Sequence, residues 1–207
     1  LHLLFRVLKP GDTVIDGGAN IGFFTVIMSL LVGSAGTVYA FEPGLNNIEK
    51  LKSNLLLNKL ANVMIIDQPL WNRVEDVTLY LCGDSGLNAL AKKEETLSRV
   101  VVRATTLDTR ILATPKLIKL DIEGSEQHAL EGAAGMLEND APYVVAEINE
   151  GALKLLGRSV EGLRAFMYEM GYSMFVLHGD GRLPSMVPER SLFKPTVKNV
   201  NVLFSTL

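Results

Sequence analysis

The stretch Asp16-Gly17-Gly18-Ala19-Asn20-Ile21-Gly22 decides how the rest of the chain is read. It follows the β-branched run Thr13 to Asp16 and opens a longer apolar segment, Ile21 to Val32. That order predicts a buried strand, a tight glycine turn and a helix. Glycines at such a turn let the backbone bend sharply and come close to a ligand. The unsatisfied N–H groups at the start of the helix suit a polar or anionic group. Asp16 closes the strand, at the edge where open α/β sheets bind ligands.

Outward from this turn the alternation repeats. Thr37 to Phe41 reads as a strand, Asn46 to Asn58 as a helix with Leu51, Leu55 and Leu56 on one face, and Asn62 to Ile66 as a third strand. Val77 to Leu81 and Val100 to Ala104 read as strands around a polar segment, Cys82 to Ser98, of the length expected for an insertion, a flexible loop or a substrate lid. Lys116 to Ile122 is a strand, a helix starts near Ser125, and Tyr143 to Ile148 is a further strand. The amphipathic run Val160 to Met170 ends at Gly171. Tyr172 to Leu177 and Asn199 to Phe204 close the chain around a loop with Pro184, Pro188 and Pro195. The fold class is α/β: one domain over residues 1–207, with a mostly parallel sheet and helices on both faces. The closing strands lack a helix between them, which predicts an antiparallel hairpin at one edge.

Composition removes several classes of function. The 207 residues are 48% hydrophobic, enough for a sizeable core, and 20 basic against 23 acidic residues leave a net charge of -3. No basic block signals a phosphate backbone, so no nucleic-acid partner is expected. Ile21 to Val32 is too short to span a bilayer. Leu1 to Leu8 lacks the small-residue cleavage site of a signal peptide. Cys82 is a lone cysteine and excludes an intramolecular disulfide. The expectation is a cytoplasmic protein without a membrane partner; the sequence carries no signal for oligomeric state.

Two acidic clusters carry the chemistry. Glu42 ends the second strand, about 20 residues beyond the glycines, the spacing of a carboxylate that accepts ribose hydroxyls. This suits an adenosine-containing methyl donor or a nicotinamide dinucleotide. Gly17-x-Ala19-x-x-Gly22 matches the dinucleotide pattern imperfectly, and the charge of Asp16 would repel a pyrophosphate but could help hold an ammonium group. The second cluster is Lys119-Leu120-Asp121-Ile122-Glu123-Gly124-Ser125-Glu126. On a continuous strand, Lys119, Asp121 and Glu123 share one face. A buried row of one base and two acids is costly unless paired or used. It reads either as catalytic machinery or as an internal ion pair beside a helix start at Glu126.

Asp16 to Thr25, Phe41-Glu42-Pro43, Thr106-Leu107-Asp108 and Lys119 to Glu126 together resemble the FkbM family of methyltransferases, over roughly Gly11 to Glu147. The last block is the specific one; the first is widespread among class I methyltransferases. The resemblance implies a Rossmann-like seven-stranded sheet of order 3-2-1-4-5-7-6 and S-adenosylmethionine as methyl donor. It also implies O-methylation of a hydroxyl on a sugar, a polyketide or another small natural product. It places Asp16, Gly18, Asn20 and Gly22 along the donor's methionine and ribose side, Glu42 on the ribose and Asp67 against the adenine. Gln68-Pro69-Leu70-Trp71-Asn72 departs from the small residues more usual there, and Trp71 is expected to fill core. Asp121, Glu123 and Glu147 are the candidate catalytic carboxylates, because a hydroxyl acceptor needs a general base. Lys119 either orients the acceptor or pairs with Asp121. The three acids could hold a divalent ion through oxygen, but the preferred reading is metal-free. His128 and His178 read as a structural and a turn residue. A competing NAD(P)-dependent oxidoreductase would leave Lys119 to Glu126 unexplained. The other alternative is a non-catalytic module that binds S-adenosylmethionine.

Overall fold

A computed structural model describes all residues except 84–87, 95, 181, 189–190, 192, 194–198 and 207. In chain order the elements are α1 (His2–Val7), β1 (Thr13–Gly17), α2 (Phe23–Val32), β2 (Thr37–Phe41), α3 (Leu45–Leu57) and β3 (Val63–Ile66). Next come β4 (Asp76–Cys82), β5 (Thr96–Arg103), α4 (Leu107–Arg110), β6 (Leu117–Leu120), α5 (Glu126–Glu131) and α6 (Ala134–Asp140). The chain closes with β7 (Tyr143–Asn149), α7 (Glu150–Leu155), α8 (Val160–Glu169), β8 (Ser173–Val176), β9 (Ser185–Met186) and β10 (Asn199–Ser205).

The main sheet has eight strands in the order β3-β2-β1-β6-β7-β10-β8-β9. β3, β2, β1, β6 and β7 run parallel. β10 lies antiparallel between β7 and β8. Without the two-residue β9 this is the seven-strand order implied by the family resemblance. The closing pair, β8 and β10, is antiparallel at this end of the sheet as expected, with β10 on the inner side and the two-residue β9 beyond β8.

Alternation along the strands sorts the two faces. Ile118, Leu120, Val144 and Ala146 pack with Leu130, Leu137, Leu163 and Met167 under α5, α6 and α8. Val14, Val38 and Leu117 pack with Leu4, Leu8, Met28 and Val32 of α1 and α2. Each fully buried aliphatic side chain contributes about 1.5–3 kcal/mol, so these two layers hold the strand ends in place.

β4 and β5 form a separate antiparallel hairpin, in register from Asp76↔Arg103 to Cys82↔Thr96 with a bulge at Leu81/Cys82. An isolated bridge, Tyr80↔Ala89, folds the following segment back over it. The polar segment Cys82 to Ser98 is therefore partly structured, though residues 84–87 and 95 within it lie outside the described residues.

Candidate active site

A cleft opens at the carboxyl ends of β1, β2 and β6. Its base is a close contact between two loops. Gly18 has φ +77°, and a Cβ there would lie 1.9 Å from the Asp121 carbonyl oxygen, so only glycine fits. Asn20, also left-handed at φ 51°, donates its backbone N–H to Glu42 Oε2 at 2.8 Å. Glu42 Oε1 accepts from the Gly44 N–H at 2.8 Å and from Asn47 Nδ2 at 3.2 Å. A carboxylate offers about four acceptor positions, so one remains for a ligand. Burial pushes the Glu42 carboxyl upward, and these three donors oppose that shift.

Gly18, Asn20 and Glu42 line the cleft. Asp16 and Gly22 are not among the lining residues. Asp16 is fully buried beneath it: Thr25 Oγ1 donates to its Oδ2 at 2.6 Å. Lys119 Nζ sits 3.2 Å from Oδ1, an ion pair without hydrogen-bond alignment. The two residues are register partners on adjacent parallel strands. Lys119 also lies 3.8 Å from Asp121 and 5.0 Å from the centre of the Phe24 ring. Gly22 caps α2 at φ 94°. Asp67 is exposed and borders a neighbouring cavity with Leu81 and Cys82. At that end of the cleft stand Gln68, Pro69 and Leu70 instead, together with Leu79, Asn88 and Leu90 from the hairpin region. Trp71 stacks on His128 with ring centroids 3.7 Å apart, away from the cleft lining.

The expected row of Lys119, Asp121 and Glu123 is broken. β6 ends at Leu120, where the Asp121 N–H donates to the Gly17 carbonyl at 3.0 Å. Glu123 and Gly124 then take positive φ, 56° and 103°, which ends the strand alternation. Lys119 stays on the α2 face, and Glu123 turns to the cleft and pairs with Lys93 Nζ at 2.5 Å. Asp121, Glu123 and Glu147 nevertheless converge: one ligand-type oxygen from each lies within 4.8 Å of the others. Glu147 accepts from Asn199 Nδ2 at 2.8 Å. Burial, then the charges of Asp121 and Glu123, raise its carboxyl above the ordinary range.

Glu126 holds this turn in place. Its Oε1 accepts from the N–H groups of Ile122 at 3.1 Å and Gly124 at 3.3 Å, while the buried Oε2 has no partner. Burial pushes its carboxyl up to about 7. The sequence reading assigns Glu126 to the helix start; its reach back to the preceding loop is the capping-box type of contact and was the available signal. The reading also missed Lys93 and Asn88, which reach the site through tertiary contacts that carry no local pattern. Asp108, by contrast, is not among the cleft-lining residues: its carboxylate accepts from the Gly135 and Met136 N–H groups, both at 2.9 Å, and caps α6. His178 shares a hydrogen bond with Ser185 Oγ at 2.8 Å.

The sheet order, the glycine turn and the carboxylate at the end of β2 define a class I, Rossmann-like S-adenosylmethionine-dependent methyltransferase. More particularly, the chain belongs to the FkbM methyltransferase family: the model of the methyltransferase FkbM domain matches residues 16–174. That sets aside the oxidoreductase reading. The chain is 31% identical over 184 residues to the 31-O-demethyl-FK506 methyltransferase FkbM of Streptomyces tacrolimicus, covering 70% of this chain and 69% of that protein. The Streptococcus mutans protein SMU.1697c, solved in complex with SAH, shares the fold at a TM-score of 0.59 and 14% identity, over 100% of this chain and 94% of that one. An rRNA methylase from Streptococcus thermophilus shares it at 0.56 and 14%, over 100% and 93%. Among the described residues, no helix is long and apolar enough to cross a membrane.

Proposed function

We propose that this methyltransferase acts on a hydroxyl oxygen of a small-molecule acceptor, a sugar, polyketide or similar natural product, with residues 1–207 forming one catalytic domain. The supporting observation is the polarity of the cleft. One end carries Glu42, buried and held by three donors; the other carries the partly exposed carboxylate of Asp121, 39% accessible. Two features fit an adenosine-containing donor. Glu42 keeps one acceptor position, and Ser125 Oγ, buried in the cleft lining, has no partner.

Glu42 and Asn20 would hold the ribose, Gly18 the methionine side, and Gln68 with Leu79 the adenine. S-adenosylmethionine held there would supply an electrophilic methyl group, with its sulfur as the leaving group, for transfer to the acceptor oxygen. The acceptor's hydroxyl proton goes to Asp121, with Glu147 beside it as the second carboxylate. Lys119 keeps Asp121 in place by charge and is a positioning residue. Glu123, tied to Lys93, belongs to the wall of the donor site. The acids also favour a sulfonium by proximity. The donor is already activated, so alignment supplies much of the rate, and no metal is required in this reading. An acidic site disfavours a phosphodiester acceptor, so the RNA chemistry of the Streptococcus thermophilus neighbour is not transferred. A cytoplasmic location is part of the proposal and rests on the single cysteine.

The test is calorimetric titration with S-adenosylhomocysteine, followed by turnover of Asp121→Asn. Saturable binding and a turnover loss of about a hundredfold or more are expected. Absence of binding would overturn the donor site, and wild-type turnover in Asp121→Asn would remove it as the base.

A further inference from the structure

A second cavity lies on the α1 and α2 face of the sheet. Its floor is the row Lys119, Val145 and Glu147, with Asn201 opposite Glu147 in register. Leu3 and Leu4 of α1, Phe24 of α2 and Leu177 after β8 form its walls. Asp121 borders this cavity and the donor cleft alike. The two spaces therefore meet at the carboxylate assigned to take the proton.

We infer that this second cavity is the acceptor site and that, of the acceptors proposed above, it takes an uncharged alcohol carried on an apolar body rather than a sugar. The inference rests on the methyl-transfer reading above. The cavity's polar side chains are Lys119, Asp121, Glu147 and Asn201, neighbours across the sheet, with His178 from the segment after β8. The cation of Lys119 is already shared between Asp16 at 3.2 Å and Asp121 at 3.8 Å, so it offers little to an anion. A phosphorylated or carboxylated acceptor would meet two carboxylates there and be repelled. His178, at the rim, is bound to Ser185. Among the described residues, the other lining side chains, Leu1, Leu3, Leu4, Phe24, Leu120, Val145 and Leu177, are hydrocarbon. A sugar placed among them would leave several hydroxyls without partners, which is costly, whereas an apolar ring or chain buries its surface against Leu3, Leu4, Phe24 and Leu177. The single hydroxyl then points to Asp121.

The test is methyl NMR of the 207-residue chain, with and without saturating S-adenosylhomocysteine, titrated with 2-naphthol, glucose and glucose 6-phosphate. 2-Naphthol is expected to shift the methyl signals of Leu3, Leu4 and Leu177, and the two sugars to leave them in place. Leu177→Asp should weaken 2-naphthol binding by about tenfold or more, while S-adenosylhomocysteine affinity stays within about twofold. If that variant loses both ligands through misfolding, Leu3→Asp gives the same comparison from the opposite wall. Shifts of these methyls by glucose 6-phosphate, or none with 2-naphthol, would overturn the assignment. Binding of 2-naphthol at these leucines without any binding of S-adenosylhomocysteine would sink the donor reading and leave the preference of the cavity standing.

Discussion

Two pairs of carboxylates stand along one edge of the same sheet and are treated differently by the fold. Asp16 and Glu42, at the ends of β1 and β2, are buried and surrounded by donors: Thr25 and Lys119 on one, the N–H groups of Asn20 and Gly44 and the Asn47 amide on the other. Asp121 and Glu147, beyond β6 and on β7, are partly exposed, crowd each other, and have fewer donors. A carboxylate fixed by several donors is rigid, which suits holding a ligand or a loop. Glu147, raised by burial and by the charges of Asp121 and Glu123, gives and takes a proton more readily. The comparison separates positions that build the donor site from positions that can do chemistry.

The largest expected effect falls on the buried pair. Lys119→Met leaves the fully buried Asp16 without its cation and should cost about 3–5 kcal/mol of stability, read from urea denaturation. A cost below about 1 kcal/mol would mean that Asp16 and Lys119 do not tie β1 to β6.

Glu126 sharpens the contrast from the other side. Its folded-state value, about 7, lies above the ordinary 4.5, so the folded protein binds the extra proton. Stability from this group is therefore fully present below about pH 4.5 and falls as pH rises toward and through about 7, by about 3 kcal/mol in all. Glu126→Gln keeps an acceptor for the Ile122 and Gly124 N–H groups and removes the charge. Thermal melts between pH 5 and 8 should show a smaller decline with rising pH for the variant than for the wild type. Parallel curves would show that the Glu126 carboxyl is not held protonated.

Asp67 should give the smallest effect. It is exposed and outside the donor cleft, so Asp67→Ala should change S-adenosylhomocysteine affinity by less than about 0.5 kcal/mol, whereas Gln68→Ala should weaken it measurably. The reverse ranking, in the same titration, would restore Asp67 to the adenine side.

These positions also show what the sequence could and could not convey. The strand–glycine–helix order and the offset to Glu42 are local patterns fixed by backbone sterics, and they put both acids at the correct edge. The seven-strand order came with the family resemblance carried by Lys119 to Glu126. The fate of Glu123 was not legible, because one left-handed turn at Glu123-Gly124 ends the alternation on which the shared face was predicted. Asp67 and Gln68 differ by one position, and a one-residue offset sends a side chain to the opposite side of an extended segment. The pairing of Lys93 with Glu123 spans 30 residues and depends on how the β4–β5 hairpin folds back. Asp108, quoted for its motif, proves to cap a helix, since an acid followed by a turn reads alike in a site and in a scaffold.

The most direct measurement is the affinity of S-adenosylhomocysteine for the wild type, Glu42→Gln and Asp121→Asn, by calorimetry. Glu42→Gln removes a buried charged acceptor that also fixes Asn20, and should weaken binding by about tenfold to a hundredfold, the value of one or two charge-assisted hydrogen bonds. Asp121→Asn should bind within about threefold of wild type while losing turnover. Full affinity in Glu42→Gln, or loss of affinity confined to Asp121→Asn, would contradict the assignment of holding to one pair of acids and chemistry to the other.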